Sequence, residues 1–372
     1  MLTMQTTLLV GPADWQPARM PKEVFLERIE SVWKANPHAS GLIVYGDRAH
    51  HADLTYLTHF TPKLEAALAL IPRDGEAQLL VGGGVNMLQA ARPLTYIEEL
   101  RPLRDVGKSV RAWAQQHDGT LILIGGALMP YPMRQELDET LGKADDQTAH
   151  LRVRMRRKDR HELAAIREAC ACLDAAVKAM RTARRRGDAG TAVVLAGEHA
   201  AQQRGAQDVR SLFSSDGGRS LRPFEAPIEH SRDPLLVYLA VRQLGYWAEA
   251  FVLLSSTAKS SHGGTDAVPS DVLAAVTDML KPGERCADVA KALARLGMSV
   301  PSVAIGHYGN GIGLALEEQP AITPSSEDVL APGDVLSMHV QLSGREAPIV
   351  SAMVALGASA TEVLWSSSAS FQ

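Results

Sequence analysis

The last third of this sequence constrains the fold most, because strand-forming segments follow one another there with short turns between them. Residues 235–242 and 246–254 form a predicted strand pair. Further on, the segments GHYGNGIGLALEEQP (306–320) and APGDVLSMHV (331–340) are strand-like and are bounded by turns rich in Gly and Pro. We therefore expect the carboxyl-terminal part of the chain to be rich in β-structure.

A chain of 372 residues is longer than one hydrophobic core usually serves, so we expect two domains, at residues 1–150 and 151–372. In the first, short apolar runs alternate with helical patterns, which indicates an α/β domain. The predicted strands are 40–45, 66–71, 77–81 and 120–124, and the predicted helices are 23–35 and 109–116. Asp74-Gly75, between the second and third strands, predicts a hairpin.

A basic run opens the second domain and contains a long amphipathic helix that Gly187 ends. Its apolar residues recur every three or four positions: Leu163, Ile166, Cys170, Leu173, Val177 and Met180. Arginines cluster at both ends. A nucleic-acid contact is one interpretation, but arginines at a helix C-terminus more often interact with the helix dipole and with solvent, and we favour that. Further helices are predicted at 190–204, 270–280 and 287–296.

Charge and cysteine content narrow the classes of partner. The net charge of -4 gives no basic surplus of the kind that nucleic acid or an anionic membrane selects, so we expect small molecules or proteins as partners, with a small-molecule substrate. The first twenty residues lack the pattern of a signal peptide, and no run has the length of a membrane span, which predicts a cytoplasmic protein. Three cysteines are too few for a disulfide framework, and we interpret them as buried thiols.

Several motifs together resemble one known superfamily. In the first domain these are DLTYLTHFTP (53–62), LALIPRDGEAQLLV (68–81) and LILIGGALMPYPMRQEL (121–137). In the second they are LKPGERCADVAKAL (280–293), GNGIGLALEEQP (309–320) and LAPGDVLSMHV (330–340). The chain resembles the creatinase, prolidase and Xaa-Pro aminopeptidase superfamily over nearly its whole length. The resemblance implies an amino-terminal α/β domain and a carboxyl-terminal α+β domain with the pita-bread fold.

Metallo-members of that superfamily hold two metal ions with two Asp, one His and two Glu side chains, and the metals acidify the attacking water. The resemblance places those five positions on Tyr238, Glu249, Asn310, His339 and Ser351. Only Glu249 remains a carboxylate, so we expect no dinuclear centre and no cofactor. A single metal on Glu249 and His339, with Asn310 or Tyr238 as a third ligand, is the weaker alternative, because catalytic zinc normally keeps three good protein ligands.

Creatinase, in the same superfamily, cleaves a C–N bond without a metal by using a His as proton shuttle. By spacing, that His falls on Leu221, so the role is not carried over. A second family His near the substrate falls on Glu317, and its neighbouring carboxylate is retained as Glu318. The resemblance also implies a homodimer in which the segment that contains His59 reaches the partner's active site. A metal cluster of His50, His51 and His59 is disfavoured by their spacing, which suggests a solvated loop.

The predicted function is a metal-independent hydrolase, or an enzyme that cleaves C–N or C–C bonds, acting on a small polar molecule that can carry a carboxylate. In this prediction His339 is the base, Glu249 orients it, and Tyr238 or Asn310 holds a developing oxyanion. The other predicted substrate contacts are Glu317, Glu318, His307, Ser351, His59 and Arg345, the last as a partner for a substrate carboxylate. The alternatives are a non-catalytic pita-bread binding protein and a divergent metallopeptidase of the Xaa-Pro aminopeptidase type.

Overall fold

A computed structural model describes residues 14–63, 65–117, 119–142, 144–214, 216, 220–223, 233–256, 270–303, 306–342 and 349–367. The chain divides into two compact units, Met1–Met155 and Arg156–Gln372. No helix in the described part of the chain combines the length and apolar character that a membrane span requires.

The first unit is built on a six-stranded mixed sheet of order β4-β3-β2-β1-β5-β6. The strands are β1 (Ala39–Gly46), β2 (Ala67–Pro72), β3 (Gln78–Val81), β4 (Glu99–Pro102), β5 (Thr120–Ile124) and β6 (Asp145–Asp146). The four predicted strands and the hairpin between β2 and β3 are confirmed. Gly75 in that hairpin has φ 121°, a conformation that favours glycine.

In the described part of this unit, six α-helices accompany the sheet: α1 (Lys22–Ala35), α2 (Ala52–Thr58), α3 (Val85–Ala91), α4 (Val106–Ala114), α5 (Tyr131–Leu141) and α6 (Thr148–Met155). Helices α1 and α4 confirm the two predicted helices. The core includes Ile43, Leu68, Leu80, Trp113 and Leu123. The α/β class predicted for this unit therefore holds, although the sequence patterns missed the four other helices.

The prediction of a solvated loop for the three histidines holds for His50, which is exposed in the loop before a helix, and is wrong for His59. Helix α2 begins directly after His51 and ends at His59, which has φ 63°. The Nδ1–H of His59 donates to the backbone oxygen of Leu94 at 3.0 Å, and the ring packs edge-on against Phe25. Burial lowers the pKa of His59. The side chain thus closes a helix end.

The second unit begins with α7 (Arg160–Arg185) and α8 (Gly190–Gln203). A capping box starts α7: the Asp159 carboxylate accepts from the amides of His161 and Glu162, and the Glu162 side chain accepts from the Asp159 amide. The predicted stop at Gly187, which has φ 86°, is confirmed. The expectation that the terminal arginines point to solvent was wrong for Arg184, which is buried and forms an ion pair with Asp233 at 3.1 Å.

Two antiparallel sheets complete the unit. The first has the order β7-β8-β9, from β7 (Asp208–Ser214), β8 (Leu235–Gln243) and β9 (Tyr246–Leu254). The second has the order β12-β11-β13-β14-β15, with β10 paired to β13. Its strands are β10 (Met298–Ser299), β11 (Gly309–Gly311), β12 (Glu318–Ala321), β13 (Val335–Leu342), β14 (Ile349–Leu356) and β15 (Thr361–Ser366).

Helices α9 (Ser270–Met279) and α10 (Cys286–Arg295) pack on the second sheet. Both confirm predicted helices, as does α8, and the predicted strand pair is β8 and β9. The three cysteines are buried and free, as predicted. Burial raises the pKa of Cys170 to about 12 and that of Cys286 to about 11, so these thiols stay protonated and unreactive.

Candidate functional site

Strand register brings polar side chains of the second unit's two sheets together. In the first sheet Tyr238 pairs with Phe251 and Ala240 pairs with Glu249, so all four side chains lie on one face. In the second sheet His339 pairs directly with Ser351. Strand β9 contacts β13 and β14, and the Phe251 ring meets the His339 ring edge-on at 4.9 Å. The polar groups therefore lie between two apolar sheets.

Four of the five positions singled out in the sequence form one hydrogen-bonded chain. The Tyr238 hydroxyl donates to Glu249 Oε2 at 2.5 Å. Glu249 Oε1 lies 3.3 Å from His339 Nε2, and His339 Nδ1 lies 2.9 Å from Ser351 Oγ. His339 is 3% exposed and Glu249 6% exposed. We call Tyr238, Glu249, His339 and Ser351 the site network.

Two serine hydroxyls surround the His339 ring. Ser337 Oγ lies 3.0 Å from Nε2, and Ser351 Oγ, which accepts from the Phe251 amide at 2.9 Å, faces Nδ1. A hydroxyl both donates and accepts, so each serine can serve a protonated or an unprotonated ring nitrogen. Neutral and protonated His339 are consequently both satisfied without movement of heavy atoms.

Electrostatics fix the charge of the two acids in the site network. Burial acts to raise the pKa of Glu249, but hydrogen bonds and charge from His339, with further bonds from Tyr238 and Ser337, outweigh it and lower the pKa. Burial and the neighbouring Glu249 raise the pKa of Tyr238 far above its ordinary range. Glu249 is thus ionised and Tyr238 neutral near pH 7, which matches a phenol that donates to a carboxylate.

Asn310 lies beside this chain but hydrogen-bonds elsewhere. It pairs with Ser337 across β11 and β13 and is buried. Its side-chain amide donates to the backbone oxygens of Gly311 and Leu316 at 2.7 and 2.9 Å. The side chain therefore holds the loop that follows β11, which runs from Ile312 to Glu317.

The two glutamates at the end of that loop have different surroundings. Glu318 accepts from Lys158 Nζ at 2.5 Å and from the Ala315 amide at 3.0 Å, so its oxygens already have partners. Glu317 is exposed, and its negative charge acts on both Tyr238 and His307. Of the pair, Glu317 is the one available to a ligand.

His307 lies at the edge of the site and is half-buried. Burial, together with the nearby His339, lowers its pKa, while Glu317 and Glu249 act in the opposite direction. Its Nδ1 is buried and has no hydrogen-bond partner among the described residues. A neutral imidazole with an unused nitrogen suits a polar ligand.

The remaining predicted contacts are not in this cluster. Arg345 lies outside the described residues. His59 belongs to the first unit, where it contacts Leu94 and Phe25. Leu221, at the position of creatinase's His, packs with the apolar residues Leu236, Phe251 and Ile349.

Three residues that support the site were missed from the sequence. Ser337 touches His339, and its position two residues before that histidine on one strand was a usable signal. Lys158 binds Glu318 across 160 residues, and Arg156 forms a bidentate pair with the buried Asp334 at 2.7 Å for both contacts. No local pattern predicts pairs so distant in the chain.

Residues 164–350, just over half of the chain, match the family model described as metallopeptidase family M24. The chain belongs to metallopeptidase family M24. Solved structures with the same fold include aminopeptidases and prolidases. Comparison with curated proteins found no significant sequence match.

Three of those solved structures illustrate the likeness. X-Pro aminopeptidase from Thermotoga maritima has a TM-score of 0.69 and 16% identity, over 88% of this chain and 95% of that one. Prolidase from Pyrococcus horikoshii has a TM-score of 0.70 and 16% identity, over 91% of this chain and 97% of that one. Zinc-substituted aminopeptidase P from E. coli has a TM-score of 0.72 and 13% identity, over 97% of this chain and 96% of that one. The two-domain α/β and pita-bread architecture expected from the sequence is confirmed.

The M24 family name implies a metal centre, and the residues present do not fit a dinuclear one. The five positions offer one carboxylate, one imidazole, one phenol, one hydroxyl and one amide. Both ring nitrogens of His339 already face hydrogen-bond partners. Among the described residues no group of three His, Cys, Asp or Glu side chains converges as metal ligands would. Two divalent cations would lack the carboxylates that normally balance their charge.

Proposed function

We propose that this M24 member is a metal-independent hydrolase that acts on a small polar molecule through acid–base chemistry of His339 and Glu249. One observation carries the proposal. Around His339 lie two hydroxyls and an ionised carboxylate, at 3.0, 2.9 and 3.3 Å, which accommodate the ring both with and without its second proton. A histidine with partners on both ring nitrogens can act first as a general base and then as a general acid.

The proposed proton cycle uses only this chain's own groups. In neutral His339, Nε2–H donates to the Glu249 carboxylate, and Nδ1 accepts from the Ser351 hydroxyl. When a water replaces that hydroxyl at Nδ1, the ring takes the proton of the water as it attacks the substrate. The imidazolium keeps its Nε2–H on Glu249, whose negative charge stabilises it, and later returns the Nδ1 proton to the leaving group. Apo contacts of this kind commonly tighten or exchange when substrate binds.

The groups on the open side of the site are proposed to bind substrate. Tyr238 is half-buried and neutral, so its hydroxyl can turn from Glu249 and donate its proton to a developing oxyanion when substrate binds. His307 and Glu317 offer an unused nitrogen and an exposed carboxylate. Asn310, Glu318 and Ser351 act in this proposal by holding the loop and the ring in place.

Metal content and turnover test the proposal together. Purified protein is analysed by inductively coupled plasma mass spectrometry and assayed on a panel of dipeptides and N-acyl amino acids before and after EDTA dialysis. We expect less than one metal per chain, turnover that survives EDTA, and kcat lowered about 10²- to 10⁴-fold in Glu249→Gln and His339→Gln.

The matched control is Arg167→Gln, which alters an exposed ion pair with Glu362 and should leave kcat unchanged. Two metals per chain together with loss of turnover in EDTA would instead identify a divergent metallopeptidase of the Xaa-Pro aminopeptidase type.

A binding function without turnover is the second candidate, and one observation favours it. The reacting groups are almost fully buried, and every nitrogen of His339 already has a partner within the protein. Saturable binding of a panel compound with no product over long incubation, and with affinity unchanged in His339→Gln, would establish this candidate in place of the hydrolase.

A further inference from the structure

Arg210 lies on the same sheet face as the site network but has no part in the chemistry proposed above. It pairs with Ala240 across β7 and β8, and Ala240 pairs with Glu249 across β8 and β9. Directly paired residues of antiparallel strands share a face, so Arg210, Ala240 and Glu249 form one row. Two strand spacings separate Arg210 from Glu249, which is roughly 10 Å between backbones. That distance is within the reach of one small molecule.

The Arg210 side chain is held in place yet remains accessible. Its guanidinium lies over the Trp247 ring, 4.6 Å from the centroid, and its side chain is 57% exposed. Stacking on an aromatic ring fixes the plane of a guanidinium while leaving its edge free to form hydrogen bonds. Trp247 is itself buried, so the platform is rigid.

Most hydrogen-bond donors of Arg210 are unused. The contact with Asp208, at 3.5 Å, is the only hydrogen bond of its side chain to any residue that the structure describes. A guanidinium carries five N–H donors, and two of them can bind both oxygens of a carboxylate; we call this pair of donors the fork. The fork is therefore available to an anion from outside the protein.

A second guanidinium lies close to that of Arg210. Arg242 is 5.3 Å from the centroid of the same Trp247 ring, and Asp208 contacts Arg210 at 3.5 Å and Arg242 at 4.0 Å. The charge of Arg210 also extends to the site network, because it acts on Tyr238 against the larger effects of burial and Glu249.

We propose that Arg210 is the specificity-determining residue for an anionic group of the substrate, and that this group is a carboxylate bound through the guanidinium fork. The inference rests on the proposed function, since it assumes that substrate binds beside Tyr238. The substrate then carries its carboxylate a few bonds away from the bond that is broken near Glu249 and His339. A neutral amide or ester of the same molecule lacks the charge that the fork recognises.

The stacked tryptophan provides a direct test that does not need turnover. The chain has five tryptophans, so protein labelled with 5-fluorotryptophan gives five ¹⁹F resonances, and Trp247→Phe identifies that of Trp247. The probes are N-acetylglycine and its neutral amide, titrated separately. We expect N-acetylglycine to shift the Trp247 resonance saturably and to bind roughly 10- to 100-fold more tightly than the amide.

Variants assign the effect to the guanidinium. Arg210→Gln should bring the affinity for N-acetylglycine down to that of the amide, and Arg210→Lys should keep only part of the preference because a lysine lacks the fork. Arg167→Gln, which removes an exposed arginine elsewhere in the second unit, should behave as wild type. The four other resonances report whether each variant is folded.

Two results would overturn the proposal: wild-type protein that gives no saturable shift or no preference for the anion, or Arg210→Gln with wild-type affinity. Failure of the hydrolase proposal is distinguishable. In that case no product forms from any substrate, while the Arg210-dependent shift of Trp247 remains.

Discussion

At the scale of single residues, the chemistry of the site depends on two serines as much as on His339. Ser337 and Ser351 can each act as donor or acceptor toward the ring, so either tautomer of His339 has partners. The sequence singled out Tyr238, Glu249, His339 and Ser351 through a resemblance, and the structure joins them in one chain of contacts. Their roles remain a prediction. Arg210 was missed because nothing in its neighbourhood along the chain distinguishes it from a surface arginine.

The ionisation of Glu249 leads to a prediction about pH. Its folded pKa is below the ordinary value of 4.5, so the unfolded chain binds a proton more readily than the folded protein does. The carboxylate therefore contributes stability above about pH 4.5, and this contribution is lost as the pH falls below that value toward the folded pKa.

Urea unfolding of wild type and Glu249→Gln from pH 7 to pH 3.5 measures this contribution. We expect the stability advantage of wild type to be constant at neutral pH and to shrink in acid. Glu362→Gln, at an exposed carboxylate, is the control. An advantage of wild type that does not change between pH 7 and pH 3.5 would show that Glu249 is not held in its ionised form by folding.

At the scale of elements, those with a clear periodic pattern or turn signal were predictable, and several of the others were not. The stripe of α7, the predicted strands and the Asp74-Gly75 hairpin each follow from periodicity or turn chemistry. Helices α2 and α3 have seven residues each, too few to display an apolar stripe over several turns. Strand β4 has four residues and forms because β3 lies beside it. Tertiary contacts decide such elements, and local sequence does not show them.

The loop after β11 depends on a buried ion pair. Lys158, which is 3% exposed, binds Glu318 at 2.5 Å, and Glu318 also holds the Ala315 amide. Removal of one partner leaves the other charged and buried, so Lys158→Met should destabilise the second unit by about 3–5 kcal/mol. Because Lys158 and Glu318 would both be apolar in Lys158→Met/Glu318→Met, the double variant should recover part of that loss.

Urea unfolding gives both free energies. Arg167→Met provides the comparison: its ion pair with Glu362 is exposed on both sides, and the expected change is about 0–1 kcal/mol. Equal losses in Lys158→Met and Arg167→Met would mean that solvent reaches the Lys158 pair and that it does not anchor the loop.

At the scale of the whole molecule, the M24 fold is present although identity to the solved structures reported above is only 13–16%. Sequence identities this low are typical of proteins whose fold is preserved by the pattern of buried apolar positions while the residues of the functional site vary. The order of motifs along the chain was therefore enough to predict the architecture. It was not enough to predict which side chains contact substrate, because those contacts depend on register between strands far apart in sequence.

A homodimer, expected from the resemblance, is testable at this scale. We propose that the segment with His59 completes the site of the partner subunit. Sedimentation equilibrium should then give twice the chain mass of 40.0 kDa. His59→Ala and Glu249→Gln should each lower turnover, and a mixture refolded together should recover part of it, because a mixed dimer contains one site with both wild-type residues. A monomer, or a mixture no more active than its components, would contradict this arrangement.

The contact between Ser351 and the Phe251 amide joins chemistry to architecture. Phe251 lies on β9, the edge strand of its sheet, and the hydroxyl of Ser351 on β14 takes the place that a neighbouring strand's carbonyl would fill. The same hydroxyl faces the His339 ring. The site is thus one of the places where the two sheets are hydrogen-bonded to each other. Loss of the Ser351 hydroxyl would remove a partner of the β9 edge as well as a partner of the His339 ring.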